Sequence, residues 1–139
     1  MEWKQSDKGV FLVNVLGIVY NPKTKKILIG MRENDPYIKE LTWCFPGGRP
    51  GYGDLELHLK QAIKSKTGLN VKIKKIVFAK THPEKREFLS IYYYCETSKE
   101  HAKAGGQFKE LKWIKPTDVK KYFTTSVHPE IMKFLRALK

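Results

Sequence analysis

The segment from residue 43 to residue 69, WCFPGGRPGYGDLELHLKQAIKSKTGL, constrains the fold more than any other part of the chain. Pro46-Gly47-Gly48 ends whatever precedes it, because proline lacks an amide donor and glycine frees the backbone. After the RPGYG loop, Asp54 is placed to cap a helix. Leu55, Leu59, Ala62, Ile63 and Lys66 then recur at the spacing of one helical face, and Gly68 closes the helix. A tight turn, a glycine-rich loop and a helix N-terminus also suit an anion. Amide groups approach it closely, and the helix end adds partial positive charge. A plain strand–turn–helix corner uses the same glycines, so the glycines alone leave both readings open.

Around this segment the chain reads mostly as strands. Gly9 to Tyr20 is β-branched and aromatic-rich, the turn NPKTKK follows, and Ile27 to Arg32 returns as a second strand. Asn34-Asp35-Pro36 is a loop, and Trp43-Cys44-Phe45 is a short strand stopped by Pro46. Beyond the helix, Val71 to Lys80 and Glu87 to Glu96 are strands. A loop around Gly105-Gly106 leads to a strand over Glu110 to Ile114, then a helical turn from Pro116. A last helix runs from Pro129 to Leu138, with proline in its first turn. This order predicts an α/β (α+β) architecture, a mixed sheet sandwiched between helices. No repeat or linker divides the 139 residues, so they read as a single domain.

Composition narrows the classes. At 41% hydrophobic and 29% charged residues the chain is neither disordered nor fibrous. Its longest apolar stretch, Val10 to Tyr20, is broken by Asn14 and Gly17 and is too short to span a bilayer. MEWKQSDK carries no secretory pattern, and the two cysteines, Cys44 and Cys95, form no framework, which points to a reducing cytoplasm. The net charge is +13, and 23 of the 27 basic residues are lysine. Such a surface attracts polyanions, nucleic acid among them. A lysine excess with only three glutamines equally fits heat adaptation, which needs no partner.

Read as a whole, residues 48–69 resemble the Nudix box, G-x5-E-x7-R-E-U-x-E-E-x-G-U with U apolar. Gly48 matches the opening glycine, Asp54 stands at the first glutamate, Ile63 at the apolar position, and Gly68-Leu69 at the closing pair. The flanking hairpin, Met31-Arg32, the tryptophan before the glycines and the strand of Glu110 agree with that family. The resemblance implies a Nudix fold, a nucleoside-diphosphate-type ligand and Mg²⁺. Dimers are common in such folds.

The departures from the box bear on the chemistry. The family's Arg-Glu and Glu-Glu pairs bind the metal, and here those four positions read Gln61-Ala62 and Ser65-Lys66. Six residues rather than seven separate Asp54 from Gln61. Hard cations require clustered oxygen anions, which this helix does not carry. Three readings follow. In the first, binding persists without ordinary metal-dependent hydrolysis: Lys66 neutralises a diphosphate with Arg32 and Arg49 as clamps, and Trp43, Gly47 and Gly48 line the site. In the second, the chain resembles the GDP-mannose mannosyl hydrolase branch, with His128 as base. In the third, displaced carboxylates, Asp54, Glu56 and Glu110, with Glu84 and Glu87 as further candidates, hold a metal. Asp54 and Glu110 are therefore catalytic candidates beside His128. Lys66 is equally readable as a helix-edge side chain, and His128 as a helix-start residue before Pro129.

Weaker signals remain. His82, in THPEKRE, is readable as a base or ligand, although a histidine in a charged loop is more often only solvated. Only Tyr92 and Tyr94 of the tyrosine run can share a sheet face. Trp43 either stacks on a base or fills the core. Lys72, Lys74 and Lys75 give one strand a basic face, which is what a basic RNA-binding module would use, although no RNP-type motif, GxxG clamp or zinc ligand set accompanies it.

Overall fold

A computed structural model describes residues 9–32, 42–83 and 85–138. The Asn34-Asp35-Pro36 loop, the first eight residues and Glu84 lie outside the described residues. Among the described residues seven strands form one mixed sheet: β1 (Leu12–Asn21), β2 (Lys26–Met31), β3 (Trp43–Cys44), β4 (Gly47–Gly48), β5 (Lys72–Thr81), β6 (Phe88–Glu96) and β7 (Glu110–Ile114). Three α-helices accompany them among the described residues, α1 (Leu55–Thr67), α2 (Val119–Tyr122) and α3 (Pro129–Ala137), with a 3-10 turn over Pro116–Asp118 leading into α2. Among the described residues no helix is long and apolar enough to cross a membrane.

The long strand β1 organises the sheet. It pairs in parallel with β6 from Leu12↔Phe88 to Tyr20↔Glu96, and it turns back antiparallel onto β2 only at its end, Val19↔Leu28 to Asn21↔Lys26. Its first half is instead met by β4, through Val15↔Gly48 and Leu16↔Gly47. The Pro-Gly-Gly turn is thus a two-residue strand inserted into the sheet, where the sequence suggested only a stop. A Cβ at Gly47 would lie 2.0 Å from the Val15 carbonyl oxygen, so only glycine permits this approach. Strands β4 and β2 meet β1 at different levels, β4 at Val15 and Leu16 and β2 from Val19 to Asn21.

Alternation in β1 and β2 supplies two cores. Ile18, Tyr20, Ile27 and Ile29 face α3, against Ile131, Met132 and Leu135. Val15, Val19 and Leu28 face α1, against Leu59 and Ile63. The sheet is therefore sandwiched between helices. Within the tyrosine run, Tyr93 packs toward α1 while Tyr92 and Tyr94 share the other side. The lysines of β5 sit on an edge strand whose register shifts twice, between Ile73/Lys75 and Ile76/Phe78. Bulges and lysines are the usual means of keeping an edge from pairing with another chain.

Candidate functional site

A cleft with a volume of about 570 Å³ draws its lining from eight separate stretches of the described residues. One end is cationic, and each cation has its own origin. Arg32 follows β2, Arg49 follows β4, and Lys66 comes from the last turn of α1. Gly47 and Gly48 form the wall between them. The other end is aromatic: Phe88 and Tyr92 of β6, Phe45 and Phe123. Phe45 meets Phe123 at 4.9 Å and Tyr92 at 6.0 Å, both edge to face, so these rings are held rather than free to collapse. The Arg49 guanidinium lies over Phe88, 5.1 Å from the ring centre, and joins the two ends.

Lys66 is the most constrained of these groups. Its Nζ donates to the Gly47 carbonyl at 2.5 Å and stands 5.9 Å from the Phe108 ring centre. Burial pushes its pKa down first, and the Arg32 charge pushes it further; the Cys44 thiol opposes both. The helix edge does not release this side chain to solvent. It holds the ammonium at the floor of the cleft, beside a second cation.

A strap from the loop before β7 closes the cationic end. Gly105 N–H donates to the Lys66 carbonyl at 3.0 Å, and Lys109 N–H to the Met31 carbonyl at 2.9 Å. Between these anchors Phe108 is buried against Gly30, where a Cβ would lie 2.4 Å from the ring. At the exposed apex, the Arg32 Nη2 donates to the Gln107 Oε1 at 2.6 Å.

Of the residues singled out from the sequence, Arg32, Gly47, Gly48, Arg49 and Lys66 are brought together in the cleft. Trp43 is not among its lining; it packs edge-on against Tyr122 at 5.7 Å, with Lys112 nearby. Asp54 caps α1, accepting from the Leu57 N–H at 2.8 Å. His128 caps α3, its Nδ1 accepting from the Glu130 N–H at 3.1 Å, and its ring lies 4.5 Å from Phe78. Glu110 is exposed at the start of β7, opposite Met31. None of these three lines the cleft.

His82 joins the lining: it is half-buried, and its Nε2 is hydrogen-bonded to Ser90 Oγ at 2.7 Å, so of its two readings the solvated one does not hold. Other lining residues were missed. Asn14, Cys44, Thr125 and Ser126 also contribute. A signal for His82 was present. The β5–β6 hairpin pairs Lys80 with Ser90 and Thr81 with Leu89, which brings residue 82 back over the β6 face. A second, shallow hollow of about 710 Å³ near Lys64, Asn70 and His101 holds Lys72 of the basic strand and the box-closing Gly68 and Leu69, but none of the residues proposed for catalysis or for the phosphate clamp.

The donor set does not fit a divalent cation. No Asp or Glu is among the described residues lining the cleft. Among the described residues no three His, Cys, Asp or Glu side chains converge as a metal site would need.

A family model of the NUDIX domain matches residues 10–135, and the chain belongs to that family. Its fold is similar to that of the MutT protein from Methanosarcina mazei Go1, with a TM-score of 0.75 and 14% identity, covering 93% of this chain and 95% of that one. It is also similar to the NUDIX domain of Shewanella oneidensis NrtR complexed with ADP ribose (TM-score 0.68, 16% identity, 97% and 90% covered). An ADP-ribose pyrophosphatase from Streptococcus suis 89-1591 gives a TM-score of 0.66 at 13% identity, with 90% of each chain covered. No curated protein matches the sequence.

Proposed function

We propose that the cleft binds a nucleoside-diphosphate-type ligand without a divalent metal, with Lys66 neutralising the charge that the family's metal would otherwise meet. One observation carries this reading: three cationic side chains and no carboxylate among the described residues that line the cleft. A diphosphate brings two or three negative charges. Arg32 and Arg49 offer planar forks for its oxygens, and Lys66 offers a point charge at the floor. The ring cluster of Phe88, Tyr92 and Phe123 supplies an apolar end for a nucleobase. The ADP ribose of the NrtR complex is a ligand of this chemical type. In this reading Mg²⁺ is not a cofactor, and metal-dependent pyrophosphate cleavage has no donor set to run on. Asp54 and His128 cap helices, and Glu110 stands outside the cleft.

Calorimetric titration of the chelator-treated protein with ADP-ribose, GDP-mannose and a dinucleoside polyphosphate tests this, with product assayed in the same samples. Saturable binding that Mg²⁺ does not strengthen, and no turnover, is expected. Turnover that requires Mg²⁺ would overturn the reading.

A further inference from the structure

The contact between Arg32 and Gln107 occupies the cationic end of the cleft with a neutral group. We infer that Gln107 is a built-in competitor for the ligand's phosphate, setting the affinity and charge selectivity of the cleft; the inference rests on the diphosphate-type ligand proposed above. Arg32 donates through Nη2 at 2.6 Å. That nitrogen contributes one N–H to each two-nitrogen edge of the guanidinium, the side-on and the end-on fork, so an acceptor on Nη2 takes one of these N–H groups and competes with a phosphate for that fork. The amide oxygen carries no charge. It imitates one phosphate oxygen without supplying the attraction that a diphosphate brings to Arg32, Lys66 and Arg49 together.

The strap makes this competition a side-chain event. Gly105 and Lys109 are tied by backbone hydrogen bonds to α1 and β2, and Phe108 is seated on Gly30, where any larger residue would collide with its ring. The backbone under Gln107 is thus pinned on both sides. The exposed side chain can leave Arg32 by rotating, while the loop stays in place. A multiply charged ligand displaces it. A neutral nucleoside meets Arg32 already partnered and gains nothing from it.

Two substitutions at this exposed position separate the possibilities, read by calorimetry in chelator with inorganic pyrophosphate, ADP-ribose and adenosine. In Q107A the competitor is gone, and both anions are expected to bind roughly fivefold more tightly, the size of one modest exposed hydrogen bond. In Q107E a carboxylate holds Arg32 as an ion pair and repels phosphate, and at least a tenfold loss is expected. Adenosine should bind alike in all three proteins. Equal or weaker anion binding by Q107A, tighter binding by Q107E, or an equal shift with adenosine would overturn the inference. If wild type and Q107A both fail to bind pyrophosphate and ADP-ribose, the ligand reading itself falls. If wild type binds them and Q107A is no tighter, only the competitor role falls. Thermal melts of both variants at the wild-type midpoint exclude a folding defect as the cause.

Discussion

Replacing Lys66 with methionine separates binding from stability, because the proposed function gives the ammonium opposite effects on the two. Its Nζ bonds the Gly47 carbonyl at the floor of the cleft, and burial together with the Arg32 charge lowers its pKa, so the folded state holds this charge at a cost. A charge-assisted hydrogen bond to a phosphate oxygen contributes about 1.5–3 kcal/mol net. At 1.4 kcal/mol per tenfold, K66M should weaken pyrophosphate and ADP-ribose binding by about ten- to a hundredfold. Two unit charges 4 Å apart at an effective dielectric of about 20 attract by about 4 kcal/mol, which bounds the effect from above. Stability should change by no more than about 1 kcal/mol, since lost contact with Gly47 offsets relief of the buried charge. The pH dependence sharpens the test. Between the lowered folded value and the ordinary 10.5, the unfolded chain binds more protons than the folded one. Wild-type stability therefore gains a contribution as pH rises through that window, and K66M lacks it. Paired calorimetry and urea unfolding at several pH values provide the readout. Unchanged ligand affinity combined with a loss of more than about 2 kcal/mol would refute the argument and make Lys66 a structural tether for the glycine turn.

Four further outcomes follow from the same geometry. D54A should cost about 1 kcal/mol in urea unfolding through loss of the α1 cap while leaving pyrophosphate affinity unchanged; a large loss of affinity would return Asp54 to the site. G30A places a methyl within 2.4–2.5 Å of three Phe108 ring atoms, and about 1–3 kcal/mol of destabilisation should appear as an earlier thermal midpoint. Iodoacetamide should label Cys44, which lines the cleft, and spare Cys95 until the chain unfolds, because burial pushes the Cys95 thiol up to about 12; mass spectrometry of the labelled peptides, with pyrophosphate slowing the Cys44 reaction, checks this. Diphosphate affinity should fall as pH rises from neutral toward 10, since Lys66 loses its proton before an ordinary lysine does, and a flat profile would count against it.

The fold was legible because its signals are local. The face of Leu59 and Ile63, the Asp54 cap, the Gly68 stop and the alternation along β1 and β2 each depend on residues within a few positions of one another. The box resemblance located the glycine wall and Lys66 for the same reason. What remained hidden was set by pairing across the chain. Trp43 and Glu110 carry the right chemistry, yet nothing near them in sequence reveals that Trp43 is spent on Tyr122 and that Glu110 stands outside the cleft. The caps made by Asp54 and His128 are local contacts and were readable beside their catalytic readings. Gln107 reaches Arg32 across 75 residues. His82 becomes part of the cleft only once β5 and β6 pair.

This division also explains why the box departs from its pattern without loss of the fold. The positions that build the fold, Gly48, Ile63, Gly68 and Leu69, are retained, and Ile63 and Leu69 are buried in the α1 core. The four that would hold a metal, Gln61, Ala62, Ser65 and Lys66, contribute none of the buried residues of α1, which are Leu59, Ile63 and Thr67. Carboxylates there are free to change without opening a cavity. A lone lysine among them would be expelled to solvent unless something received it. Here the Gly47 carbonyl and the Phe108 ring do, and the strap that carries Phe108 also brings Gln107 to Arg32. Lysine, strap and competitor are therefore linked through one packing arrangement. A substitution that unseats Phe108 should disturb anion affinity as well as stability.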